Sequence, residues 1–249
     1  SGDEIYTNVD KMILKRVAVL PHGLINNVEQ KVGHHGEILL EYIRWIAKRI
    51  AALTGEEYHP RLHIDVYGTL GQVFAGNLDL LADYIAKMAA AAWPYSLQLE
   101  GPLDAGSRAA QIESLYALRM ILKQKCVNVP IVADEWCNTL DDIQAFTTAQ
   151  AADFVQIKTP SLGSISNTIA AIEIAKRGST YTYLGGTCNE TDRSAQVCTH
   201  IALALSPDQM LAKPGMGFDE GLMIVHNEMQ RALAIISHRK NNNDRNQPL

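Results

Sequence analysis

An α/β fold, a parallel sheet wrapped by helices and closed as a TIM-type (β/α) barrel, is what three features of the 249 residues predict. Short β-rich runs alternate regularly with longer helical patterns, the runs are close to continuously apolar, and no GxGxxG follows any of them. The last feature removes support for a dinucleotide-binding open sheet.

The elements follow in order. Residues 17–20 read as a strand ending in PHGLINN, and 37–53 (EILLEYIRWIAKRIAAL) carry apolar residues at helical spacing. Strand 62–68 (LHIDVYG) precedes the helix 78–92, and strand 96–102 (SLQLEGP) precedes the helix 109–125. Strand 130–136 (PIVADEW) leads to a helix starting near Thr139, whose hydroxyl suits the cap of LDDIQAF. FVQIKT at 154–159 precedes a helix over 164–178, with Gly178 expected at its end. TYTYLGG at 180–186 precedes the helix 190–205, and MLAKPG at 210–215 precedes the helix 221–236. These are seven units, and an eight-stranded barrel needs one more. Residues 1–15 hold a short helical stretch and no strand, so the first barrel strand is expected before Ser1 and the chain is read as the C-terminal portion of something longer. A seven-stranded barrel or an open sheet are the alternatives. Residues 1–239 are taken as one barrel domain and 240–249 as a polar, disordered tail.

Bulk properties narrow the function classes. Apolar residues make up 47% of the chain, and the net charge of −5, from 22 basic and 27 acidic residues, comes without a basic run. Nucleic acid and anionic membrane surfaces are therefore not expected as partners. No apolar stretch reaches the roughly 18 residues of a membrane span and no signal-peptide pattern opens the chain, so a cytoplasmic location is expected. Cys126, Cys137, Cys188 and Cys198 have no CxxC spacing and fit reduced thiols.

In parallel barrels chemistry collects at the C-terminal ends of the strands. Five successive ends carry His22, Asp65, Glu100, Asp134 and Lys158. Three carboxylates on adjacent tips repel one another unless a cation sits among them, and three oxygen ligands with room for water suit a hard divalent ion such as Mg²⁺. Glu135, beside Asp134, is an alternative third ligand, because a one-residue slip exchanges the two. His22 and Lys158 lie four strands apart, so a metal-bound substrate would have one basic group on each face. That layout suits removal of a proton next to a carboxylate, with the metal stabilising the charge that forms. Gln156 shares the face of Lys158 by strand alternation. GGTCNET, at 185–191 just before a helix, could bind a second carboxylate through backbone amides and Thr187. Cys188 has no base nearby in sequence and reads as a polarisable contact. Tyr183, Leu211 and Met216 could wall an apolar pocket, with ordinary core packing as the default.

HIDVYGT, LEGPLDAG, IVADEWCNT, VQIKTPSLG, GGTCNETDRSA and KPGMGFDEG, together with VDKMILK and LPHGLINNVE, closely resemble the methylaspartate ammonia-lyase family of the enolase superfamily. The resemblance runs over nearly the whole chain. It implies elimination of ammonia from (2S,3S)-3-methylaspartate to give mesaconate, with Mg²⁺ required, K⁺ as monovalent activator and a homodimer as assembly. Carried over by position, Asp65, Glu100 and Asp134 would bind the metal, which selects Asp134 over Glu135. Lys158 would be the base for the physiological isomer, and His22 would serve the opposite face in reaction of the 3-epimer. Gln156, Thr187 and Cys188 would contact substrate carboxylates, and Leu211 would border the alkyl group. Leu184, where a glutamine is expected, and Arg193 depart from the family pattern. So does the absence of the N-terminal capping domain and first strand that family members carry. A racemase or dehydratase of the same superfamily and a noncatalytic barrel fragment are the rival readings.

Overall fold

The computed structural model describes residues 16–19, 32–54, 57–187, 190–212 and 217–245. Its strands are β1 Arg16–Val19, β2 Arg61–Asp65, β3 Leu97–Glu100, β4 Ile131–Ala133, β5 Phe154–Ile157, β6 Tyr181–Leu184 and β7 Gln209–Met210. β1 to β5 pair in chain order, β1 with β2, β2 with β3, β3 with β4 and β4 with β5, and β6 pairs with β7, all parallel. The chain divides into two compact units, one of Ser1–Gln156 with Ile174–Tyr181 and one of Ile157–Glu173 with Thr182–Leu249.

In the first unit, α1 (Glu37–Leu53) buries Leu39, Ile43, Ile46, Ala47 and Ile50, one stripe at helical spacing. α2 (Thr69–Val73) is a single turn after β2. α3 (Leu78–Ala92) starts at Asn77, whose side chain accepts the Leu80 N–H at 3.1 Å, and buries Leu81, Tyr84, Ile85 and Met88. α4 (Arg108–Gln124) is capped in the same way by Ser107. α5 (Leu140–Thr148) opens with the expected Thr139 cap as a full capping box: Thr139 Oγ1 accepts the Asp142 N–H at 3.2 Å and Asp142 accepts the Thr139 N–H at 2.9 Å. The buried faces of β2, β3 and β4 supply Leu62, Ile64, Leu97, Leu99, Ile131 and Val132 to the core. Below the sheet, Arg119 binds Asp153 Oδ1 through Nε at 3.0 Å and Nη2 at 2.6 Å, while Asp153 Oδ2 accepts the Ile131 N–H at 2.8 Å.

In the second unit, α6 (Thr159–Leu162) is one turn with proline in its first positions and Gly163 (φ 74°) at its end. α7 (Ile165–Arg177) runs from this unit back into the first. α8 (Asp192–Leu205) begins with a Thr191–Ser194 capping box, and Thr182 and Asp208 exchange three hydrogen bonds of 2.8 to 3.1 Å beside β6. α9 (Phe218–Arg245) is longer than the periodicity predicts and continues through the first part of the polar run that was expected to be disordered. Extending a formed helix adds one hydrogen bond per residue fixed, so polar residues can follow an apolar-faced helix at little cost. No described helix is long and apolar enough to cross a membrane.

Three further differences have local causes. The one-turn helices α2 and α6 are too short to show a period. β7 lies at Gln209–Met210, at the start of the expected run over 210–215. Gly178 follows α7 as expected, but the left-handed residue there is Ser179 (φ 57°). Glycine is required at 178 for space, because a Cβ there would overlap the Thr147 methyl at the end of α5. We expect Gly178→Ala to destabilise the fold by about 1–3 kcal/mol, the usual cost of overpacking, read as a lower urea midpoint.

Candidate active site

The acidic tips belong to the first unit. Asp65 and Glu100 end β2 and β3 as register partners, and Glu100 also pairs with Val132, two residues before Asp134. Parallel pairing therefore delivers the three carboxylates to one edge of the sheet. The chain turns sharply beyond each: Tyr67 (φ 54°), Gly68 (φ 74°), Gly101 (φ 54°) and Trp136 (φ 61°) all take left-handed conformations. Such geometry is uncommon for residues as bulky as Tyr67 and Trp136. Trp136 Nε1 donates to Asp104 Oδ1 at 2.7 Å, tying the loop after β4 to the loop after β3.

Glu100 and Asp134 are buried, and Asp65 is half-buried. Burial first, then the charges of Glu100 and Asp134, push the Asp65 carboxyl up to about 8, against the pull of the Tyr67 N–H, which Asp65 Oδ1 accepts at 3.0 Å. The three acids are thus close enough to feel one another. They do not form a closed cage: among the described residues no group of three His, Cys, Asp or Glu side chains comes together in metal-holding geometry. Glu100 is instead drawn onto protein donors. Its Oε2 lies 2.5 Å from His63 Nε2, and its Oε1 accepts a hydrogen bond from Gln156 Nε2. Three carboxylates with their accumulated negative charge are the kind of oxygen donor set that fits a hard cation. Glu135, the sequence alternative to Asp134, is half-buried with its carboxylate packed on Gly101, where a Cβ would come within 2.9 Å of Glu135 Oε2.

The remaining sequence-predicted residues lie in the second unit or outside the described residues. Lys158 sits just past β5 in extended conformation, as the residue preceding α6, and is half-buried. The Thr187 N–H donates to Glu190 Oε1 at 3.1 Å, and the helix that GGTCNET was expected to precede begins at Asp192. Leu211 is half-buried and its N–H donates to the Leu184 carbonyl at 3.0 Å; Tyr183 is buried. His22, Cys188 and Met216 lie outside the described residues. Sequence reading missed His63 and Gln98, both buried and connected to Glu100. The signal was present as alternation: in RLHID the polar residues fall at every second position, the pattern of one strand face.

Asp65 supplies a sign-definite prediction. Its folded value near 8 exceeds the unfolded one near 3.8, so the native state holds a proton that the unfolded chain has lost, and stability declines as pH rises from about 4 to about 8. In EDTA-treated protein, Asp65→Asn should flatten that decline, raising the melting temperature at pH 8 while leaving it near the parent value at pH 4. Parallel melting curves of the two proteins across this range would contradict the assignment.

Comparison with known proteins gives a consistent picture. The family described as methylaspartate ammonia-lyase C-terminus matches residues 1–238. Methylaspartate ammonia-lyase 2 of Carboxydothermus hydrogenoformans is 59% identical over 239 residues, covering 96% of this chain and 58% of that protein. The Mg complex of β-methylaspartase from Clostridium tetanomorphum superposes with a TM-score of 0.85 at 50% identity, over 95% of this chain and 57% of that one. The Citrobacter amalonaticus enzyme containing (2S,3S)-3-methylaspartic acid superposes with a TM-score of 0.86 at 52% identity, over 95% of this chain and 58% of that one. Muconate cycloisomerase from Pseudomonas fluorescens, 15% identical with a TM-score of 0.54, shares the fold. The chain spans just under three fifths of the length of the relatives it matches. On this evidence the chain belongs to the methylaspartate ammonia-lyase family and corresponds to its C-terminal part.

Proposed function

We propose that this chain is the catalytic portion of a carbon–nitrogen lyase that eliminates ammonia from (2S,3S)-3-methylaspartate to give mesaconate. The observation that carries the reading is the placement of three family-matched carboxylates, Asp65, Glu100 and Asp134, on neighbouring parallel strand ends, where their charges act on one another. The Citrobacter relative containing the substrate and the Clostridium relative solved with Mg support it at 50–52% identity.

Within this reading Asp65, Glu100 and Asp134 hold Mg²⁺. The ion, when bound, offsets the negative charge that grows on the substrate carboxylate as the neighbouring proton leaves. Lys158 removes that proton with its neutral amine. Its backbone is fixed for the task, since the Lys158 carbonyl accepts the Leu162 N–H at 3.1 Å and α6 starts at the next residue. His22 serves the other face of the substrate, toward the 3-epimer. Gln156 and Thr187 bind substrate carboxylates with Cys188, and Leu211 borders the methyl group. K⁺ as activator and a second copy of the chain as partner follow from the family resemblance.

The test is mesaconate formation by the full-length protein, followed by ultraviolet absorbance with and without Mg²⁺. Product should form only with the metal, and Lys158→Ala should lower the rate by roughly 10²–10⁴-fold, the contribution of a positioned base. Equal rates in parent and variant would refute the role of Lys158, and no product from the parent would refute the reaction.

A further inference from the structure

We propose that His63, backed by Gln98 and Arg61, is a positioning residue that orients Glu100 for the divalent cation through a one-way chain of N–H donors. The inference rests on the metal role proposed above for Asp65, Glu100 and Asp134.

The chain follows from strand geometry. Arg61, His63 and Asp65 occupy alternate positions of β2 and so share a face, as Gln98 and Glu100 do on β3. Register sets His63 beside Gln98 and Asp65 beside Glu100. Arg61 Nη1 donates to Gln98 Oε1 at 3.4 Å. Because a guanidinium only donates, this contact assigns the oxygen of the Gln98 amide to the Arg61 side and turns Nε2 toward His63 Nδ1, 3.5 Å away. Nδ1 then accepts, so a neutral imidazole carries its hydrogen on Nε2 and donates to Glu100 Oε2 at 2.5 Å. The first two links are long and therefore weaker than the last.

His63, Gln98 and Glu100 are 1%, 0% and 2% exposed, at positions where barrels of this class commonly place branched apolar side chains. A buried polar column there is destabilising unless its members satisfy one another, and this one terminates on a candidate ligand. Gln156 donates to the opposite oxygen, Oε1, from β5. Two donors arriving from β2 and β5 fix the plane of the Glu100 carboxylate. Outer partners of this kind orient metal ligands, and their loss typically lowers metal affinity 10–100-fold.

The test measures Mg²⁺ binding to the full-length protein by titration calorimetry, with Mn²⁺ paramagnetic resonance as a second readout, and requires no turnover. His63→Leu should weaken binding roughly 10–100-fold. His63→Gln, which returns an N–H near the Nε2 position, should recover most of it, and Gln98→Leu should weaken binding less than His63→Leu does. Should His63→Leu fail to fold, His63→Gln and Gln98→Leu decide the matter: near-parent affinity in the first with weakened affinity in the second supports the donor chain. Unchanged affinity in every folded variant, whatever its melting temperature, overturns it and leaves the metal site standing. A parent protein that binds neither ion overturns the metal reading and this inference with it.

Discussion

The constraint on which the first unit depends is the gathering of like charge in a poorly solvated place. Parallel register brings Asp65 level with Glu100 and sets Asp134 two residues past a partner of Glu100. Burial of charge, and after it the repulsion among the acids, opposes folding, and together they displace the Asp65 carboxyl to about 8. The surroundings answer it locally: the Tyr67 amide bonds Asp65, and His63 and Gln156 bond Glu100. Around that edge the rest is apolar cladding, with the inner stripes of α1 and α3 and the alternate residues of β2 and β3 excluding water. Stability and the gathering of these carboxylates are therefore set against each other in the same few residues.

Much of this was legible before any coordinates. The bounds of α1 and α3 follow from apolar spacing, and the Thr139 cap follows from the chemistry of a hydroxyl three residues before a backbone N–H that needs a partner. The order of strands was equally readable, because strand–helix alternation leaves parallel neighbours as the natural outcome. Adjacent acidic tips followed from that order alone. How Glu100 spends its oxygens did not, since His63 and Gln156 reach it across 37 and 56 positions of sequence by side-chain contacts that no local pattern encodes. Gly178 makes the same point: its place after a helix was visible, but the reason for it is the methyl of Thr147, 31 residues earlier.

Family membership and geometry contribute different things to the functional reading. Membership ties the chain to relatives named methylaspartate ammonia-lyase, of whose length it spans just under three fifths. Geometry supplies the electrostatic reason that a cation would be welcome at the edge formed by β2, β3 and β4. The neighbouring acids differ in surroundings, Asp134 being buried at the tip and Glu135 half-buried and packed on Gly101.

The one-turn helix after β5 fixes the backbone on one side of Lys158. Lys158 stands between the last hydrogen-bonded strand residue and a turn closed by Pro160 near its start and left-handed Gly163 at its end. An amine on such a mount inherits its aim from the backbone on both sides. Replacements at Pro160 or Gly163 would swing that aim without altering the amine itself.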